Sequence, residues 1–134
     1  MRFDILTLFR HMFSSPLQES ILGKAIEGGL IQIQTINIRD FALDKHRVVD
    51  DAPYGGGQGM VMKVDPIARA FESVKFQNPS ACTVYLTPQG KPLNQDLARS
   101  LSTELHLILL CGRYEGVDER VKELFIDEEI SIGD

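Results

Sequence analysis

Gly112-Arg113-Tyr114-Glu115-Gly116 sets two glycines around an arginine and a glutamate, directly after the apolar run 105–111 (LHLILLC). Both charge signs at one turn supply donors and acceptors for a polar ligand, and glycine lets backbone approach it closely. The same five residues also suit a tight strand-to-helix turn with a surface ion pair. Two further segments have comparable chemistry: Thr87-Pro88-Gln89-Gly90, and Ile132-Gly133-Asp134. A long polar stretch, 39–60, holds Asp40, Asp44, Lys45, His46, Arg47, Asp50 and Asp51, then Tyr54-Gly55-Gly56-Gly57-Gln58-Gly59-Met60. Mixed charge with one histidine suits contact with a polar substrate or acid–base work, or else a solvated loop. The glycine run is no dinucleotide fingerprint, because Met60 takes the last glycine position counted from Gly55. No GxxxxGK occurs either, so the run reads as a flexible loop or as a lid.

Other chemistries lack their residues. His11, His46 and His106 have no partner at metal-ligand spacing, and there is no HExxH or GxSxG. No residue is therefore assigned as a metal ligand. Asp127-Glu128-Glu129 offers oxygen donors to a divalent cation such as Mg2+, although such a run is more often a solvated edge. Cys111 ends an apolar run with no flanking histidine, so it reads as core-facing rather than nucleophilic. With Cys82 it is expected to be a buried free thiol of a cytoplasmic protein.

The elements that must position these residues follow from periodicity. Residues 3–9 (FDILTLF), 30–37 (LIQIQTIN), 82–87 (CTVYLT) and 105–111 read as strands, with a last one near 129–131. The 82–87 strand is expected to end at Pro88-Gln89-Gly90, and 105–111, apolar throughout, to be buried on both faces. Helices are expected over 17–28, stopped by Gly28-Gly29; from Asp65-Pro66; from Asn94 to about 103; and over 117–125. Their apolar faces are Leu17, Ile21, Leu22, Ala25 and Ile26; Ile67, Ala70, Phe71 and Val74; and Leu97, Ala98 and Leu101. Alternating strands and helices give an α/β fold with a mostly parallel sheet and helices on both faces. Ligands in such sheets bind outside the carboxyl ends of the strands, where the three segments of the opening lie.

The 134 residues amount to one domain, 43% hydrophobic and 25% charged, which excludes disordered and disulfide-scaffold classes. No run approaches the roughly 20 apolar residues of a membrane span, and no signal peptide is evident. The net charge of −5 comes from the end of the chain. There Glu115, Asp118, Glu119, Glu123, Asp127, Glu128, Glu129 and Asp134 face only Arg120 and Lys122. The remainder is close to neutral, so RNA binding by a local basic loop stays open.

Several motifs occur in one order: Arg39-Asp40-Phe41, Asp44-Lys45-His46-Arg47, Val49-Asp50-Asp51, Pro53-Tyr54-Gly55-Gly56-Gly57, Tyr85-Leu86-Thr87-Pro88-Gln89-Gly90, Cys111 through Arg120, Asp127-Glu128-Glu129 and Ser131-Ile132-Gly133-Asp134. Together they resemble the bacterial tRNA (guanine-N1-)-methyltransferase family, of the SPOUT class with a trefoil knot. The resemblance spans essentially the whole chain.

It implies S-adenosylmethionine bound by Tyr85, Leu86, Thr87, Pro88, Gln89, Gly112, Tyr114, Gly116, Ser131, Ile132, Gly133 and Asp134. It also implies a tRNA substrate contacted by Asp50, Tyr54, Gly55, Gly56, Gly57 and Arg113, and a homodimer. The reaction would methylate N1 of the guanine 3′ to the anticodon (position 37), on a base turned out of its stack. Glu115 would be a supporting catalytic residue, the general base being expected beyond residue 134. The family's glycine stretch often has proline where this chain has Gln58. Residues 1–134 would then be the N-terminal part of the cofactor domain, with the end of the knot, a linker and a tRNA-binding domain absent, and would be inactive alone. Alternatives are another knotted RNA methyltransferase, or a non-catalytic dimeric RNA- or nucleotide-binding module.

Overall fold

The computed structural model describes residues 1–9, 13, 20–42, 50–51, 61–62, 64–112 and 116–133. In chain order the elements are β1 (Arg2–Thr7), α1 (Ser20–Glu27), β2 (Gln32–Asn37), a 3₁₀ turn (Ile38–Phe41), β3 (Asp50–Asp51), β4 (Val61–Met62), α2 (Val64–Gln77), β5 (Cys82–Pro92), α3 (Gln95–Ser102), β6 (His106–Cys111), β7 (Gly116–Val117), α4 (Glu119–Phe125) and β8 (Glu128–Ser131). Five strands form one parallel sheet in the order β2-β1-β6-β5-β8. The expected α/β class and mostly parallel sheet are therefore present.

The apolar run that becomes β6 sits at the centre, hydrogen-bonded to β1 and β5. Its side chains alternate between two cores. Ile108 and Leu110 join Leu6 and Tyr85 against Ile67, Ala70, Phe71 and Val74 of α2 and Val121 of α4. There the rings of Phe71 and Phe125 stack with centroids 5.1 Å apart. Leu107 and Leu109 face the other way with Phe3, Val84, Leu86 and Ile130, against Leu97 and Leu101 of α3. Helices thus cover both faces.

Local chemistry sets the helix ends. At α1, Gly29 has φ 74°, its N–H reaches Ile26 O at 3.1 Å, and the Leu30 N–H reaches Ala25 O at 3.0 Å. That is the glycine-terminated stop expected from Gly28-Gly29. Asn94 Oδ1 accepts the Leu97 N–H at 2.8 Å and starts α3.

Several boundaries differ from expectation. Strand β1 ends at Thr7, whose Oγ1 accepts the Phe9 N–H at 3.0 Å and turns the chain. Helix α2 begins at Val64, so Asp65 lies in its first turn rather than at the cap. Helix α4 begins at Glu119, because Val117 belongs to β7; Asp118 is its cap, accepting the Arg120 N–H at 2.9 Å. The expected inner face of α1 is not covered: Ile21 is 82% exposed, and only Ala25 and Ile26 are partly buried. Residues 17–19 of that expected helix lie outside the described residues.

The largest difference is in β5. Pro88-Gln89-Gly90 does not end it; Leu86 pairs with Ile130, the register shifts, and Lys91 and Pro92 pair with Ile130 and Ser131. Gly90 makes the return possible. A Cβ there would lie 2.5 Å from Ile130 N and 2.7 Å from Glu129 O, a closeness only glycine permits.

A second, small sheet has the order β3-β4-β7. Asp50 and Asp51 pair antiparallel with Met62 and Val61, which pair parallel with Val117 and Gly116.

Candidate functional site

Leu86 pairs with Cys111 on one side and Ile130 on the other. These residues form a row across β6, β5 and β8, and each opens into one of the segments with ligand chemistry. Adjacent strands lie about 4.8 Å apart, so the three segments leave the sheet within about 10 Å of one another. Residues 87–90 bulge out of the β5–β8 ladder between its two registers. Within the bulge Thr87 Oγ1 donates to Gln89 Oε1 at 2.7 Å, holding the Gln89 side chain back over the turn.

The segments touch through Tyr85. Its ring is 4% exposed and lies against Gly112, where a Cβ would meet Cε1 at 3.1 Å and the hydroxyl oxygen at 3.2 Å. Burial pushes the Tyr85 phenol up, with Lys122 acting in the opposite direction. Gly133, with φ 113°, turns the third segment in a conformation that side-chain-bearing residues rarely adopt. The Ser131 hydroxyl accepts the Gly133 N–H at 3.3 Å.

The small sheet carries Asp50 to this region. Gly116, at the end of the second segment, pairs with Val61, and Asp50 pairs with the next residue, Met62. Backbone pairing alone therefore links Asp50 and Asp51, through β4, to Gly116 and Val117.

Tyr85, Leu86, Thr87, Pro88, Gln89, Gly112, Ser131, Ile132 and Gly133 are thus assembled at one end of the sheet, with Gly116 and Asp50 tied to it by backbone pairing. Arg113, Tyr114, Glu115, Asp134, Tyr54, Gly55, Gly56 and Gly57 lie outside the described residues, as do residues 43–49.

The two cysteines are half-buried free thiols, rather than buried as expected, because each sits at an end of its strand. Burial pushes the Cys111 thiol up to about 11, so it is protonated at neutral pH and a poor nucleophile. The acidic run separates among different partners. Asp127 Oδ2 accepts the Thr83 N–H at 2.8 Å, Glu128 pairs with Lys91 at 2.6 Å, and Glu129 with Lys122 at 3.5 Å. Among the described residues no three His, Cys, Asp or Glu side chains gather as metal ligands.

Two features escaped sequence reasoning. His106 is not isolated: its Nε2 hydrogen-bonds the buried Asp4 carboxylate, which Arg2 Nε also reaches at 3.2 Å. An acidic residue inside an apolar strand needs a buried partner, and that was the available signal. Lys122 is the other, through partners on two other elements, Glu129 of β8 and Tyr85 of β5.

A parallel-sheet α/β domain with three segments gathered at the carboxyl ends of adjacent strands, where ligands of such sheets bind, is the class this geometry defines. Among the described residues no helix is long and apolar enough to cross a membrane. The chain belongs to the family described as tRNA (Guanine-1)-methyltransferase TrmD, whose model matches residues 1–134. It is 58% identical, over its whole length, to a tRNA (guanine-N(1)-)-methyltransferase of Geobacter sulfurreducens, of which it covers 55%. It is 59% identical to one of Carboxydothermus hydrogenoformans, of which it covers 52%. The crystal structure of tRNA (m1G37) methyltransferase from Aquifex aeolicus superposes with TM-score 0.89 at 41% identity, over all of this chain and 60% of that one. The chain therefore spans little more than half the length of these relatives.

Proposed function

We propose that residues 1–134 are the N-terminal part of the S-adenosylmethionine-binding, trefoil-knotted domain of a tRNA methyltransferase. Its product would be a tRNA methylated on N1 of the guanine at position 37. The observation that carries this reading is the row Cys111, Leu86, Ile130, which brings the starts of the three segments side by side. The residues fit such a cofactor. Gly112 brings bare backbone against the Tyr85 ring at the end of β6, and Gly133 turns the third segment with open space where a Cβ would stand. An adenosine group flanked by 85–89, 112–116 and 131–134 would be read by main-chain donors and acceptors.

S-adenosylmethionine supplies an electrophilic methyl group. This chain's residues bind and orient. Asp50, whose backbone is linked through β4 to Gly116, would read the guanine edge, with Tyr54, Gly55, Gly56, Gly57 and Arg113 as further substrate contacts. Glu115, by its place in the family motif, would support proton removal from N1, a step that needs a general base. That base, the end of the knot, a linker and a tRNA-gripping domain are assigned to the remaining length of the relatives. The enzyme acts as a cytoplasmic homodimer. Mg2+ has no fitting arrangement among the described residues, because the acidic run is committed to separate partners.

The test joins this chain to the C-terminal portion of the Geobacter sulfurreducens relative and supplies labelled S-adenosylmethionine. Methyl transfer to a tRNA transcript with guanine at position 37, and none to one with adenine there, is the expected result. Methylation of another base, or tRNA binding without transfer, refutes the reading.

A further inference from the structure

The Lys122 side chain rises from α4, a helix whose neighbouring positions are largely exposed. Its ammonium lies 3.1 Å from Glu119 Oε1, one turn back, an arrangement ordinary on a helix surface and of little energetic consequence. Its other two contacts are not local. It lies 3.5 Å from Glu129 Oε1 on β8 and stands over the Tyr85 ring of β5, 5.9 Å from the centroid. Tyr85 and Glu129 are register partners across the β5–β8 pair, so one cation bridges two strands where the ligand loops begin. Glu129 is two residues before Ser131. The Tyr85 ring presses against Gly112, so its position decides how much room the second loop has.

We propose that Lys122 is a positioning residue that holds the ends of β5, β6 and β8 in one geometry, acting on 85–89 through the Tyr85 ring, on Gly112 through that ring's contact with it, and on 131–133 through Glu129. The proposal rests on the reading of these loops as the S-adenosylmethionine site. The physical basis is a buried ring with one polar edge. Tyr85 is 4% exposed, whereas the Lys122 side chain is 26% exposed. A cation over the ring face favours one ring position, and the glutamates on either side keep the cation there. Without the charge the ring loses one constraint on its position against Gly112, and the spacing of the β5 and β6 ends is held less tightly. Ligand binding suffers; the methyl-transfer step in a ligand already bound does not.

The experiment uses the fusion protein described above with Lys122→Met, which keeps the apolar stem and removes the charge, and Lys122→Arg, which keeps charge and stacking. Lys122→Met is expected to raise KM for S-adenosylmethionine about fivefold, the scale of one cation–π contact with a tertiary ion pair. The kcat stays within about twofold, and Lys122→Arg restores KM to within about twofold, because only binding geometry is altered. A second readout is independent of turnover. The chain has three tyrosines and no tryptophan. In alkaline absorbance titrations of the fusion protein, the difference between Lys122→Met and the parent shows one tyrosine moved to higher pH, and Tyr85→Phe abolishes that difference. A lower melting temperature with KM and the tyrosine titration unchanged would overturn the proposal and leave Lys122 a purely structural residue. A wild-type fusion that neither binds nor transfers refutes the functional reading itself, and this inference falls with it. A wild-type fusion that works while both variants match it refutes only the role of Lys122.

Discussion

Replacing Gly90 with alanine adds one methyl group at the place where β5 rejoins β8. The new Cβ would stand 2.5 Å from Ile130 N, 2.6 Å from Glu129 C and 2.7 Å from Glu129 O. Carbon atoms in favourable contact are about 3.5–4.0 Å apart, so close to 1 Å of separation has to be found. All three neighbours are backbone, and no rotamer change relieves them. The return of β5 has to move away from β8, which strains the pairs Lys91↔Ile130 and Pro92↔Ser131 and the 2.8 Å bond from the Leu93 N–H to Ser131 O. Overpacking without a side-chain escape belongs at the upper end of its range, about 3 kcal/mol. For a chain of this length that lowers the melting temperature by about 10 °C. Gly112→Ala provides the contrast. Its nearest neighbours are ring atoms of Tyr85 at 3.1 and 3.2 Å, so a small ring displacement absorbs the methyl group. Its cost is about 1 kcal/mol, and its main effect is expected on ligand binding. Thermal melts followed by far-ultraviolet circular dichroism compare the two. Gly90→Ala melting within about 2 °C of the parent, or above Gly112→Ala, would refute the close-approach argument.

Asp4→Ala leaves His106 and Arg2 without their shared carboxylate; breaking a buried pair this way costs about 3 kcal/mol, read as a lower urea midpoint. A midpoint unchanged from the parent would contradict the burial of that pair. Cys111, with its thiol near 11, is expected to react slowly with iodoacetamide at pH 8 and faster as the pH is raised toward that value. Fast alkylation at neutral pH would contradict it. The hydrogen bond from Arg120 holds the Asp118 carboxyl below its ordinary value. A carboxyl depressed in the folded state contributes stability that is complete above its unfolded value and is lost as pH falls through the depressed one. Asp118→Asn, which keeps a cap oxygen, should therefore remove part of the acid-side slope of stability against pH, and an identical slope would refute the assignment.

Much of the fold is legible where local chemistry decides. The run 105–111 is too apolar to face water on either side, and it becomes the central strand. Gly28-Gly29 and Asn94 announce their helix ends because backbone conformation and capping need those residue types. Where distant segments decide, local patterns mislead. Pro88 and Gly90 read as strand breakers, yet the ladder resumes, because β8, some 40 residues on, accepts the chain at Gly90. The two-residue strands of the small sheet are too short to show any period. The place of the three segments at neighbouring strand ends was legible from strand order alone, since each follows a strand that reads clearly. What joins them was not: the partners of Lys122 across β5 and β8 carry no mark in the sequence.

The central claim is that the loops following Leu86, Cys111 and Ile130 form one S-adenosylmethionine site. Amide hydrogen exchange of the fusion protein, with and without the cofactor, tests it directly. The account predicts slowed exchange in 85–90, 112–116 and 131–133 together, with α2 unchanged. Protection confined to other segments, or to one of the three alone, would contradict it.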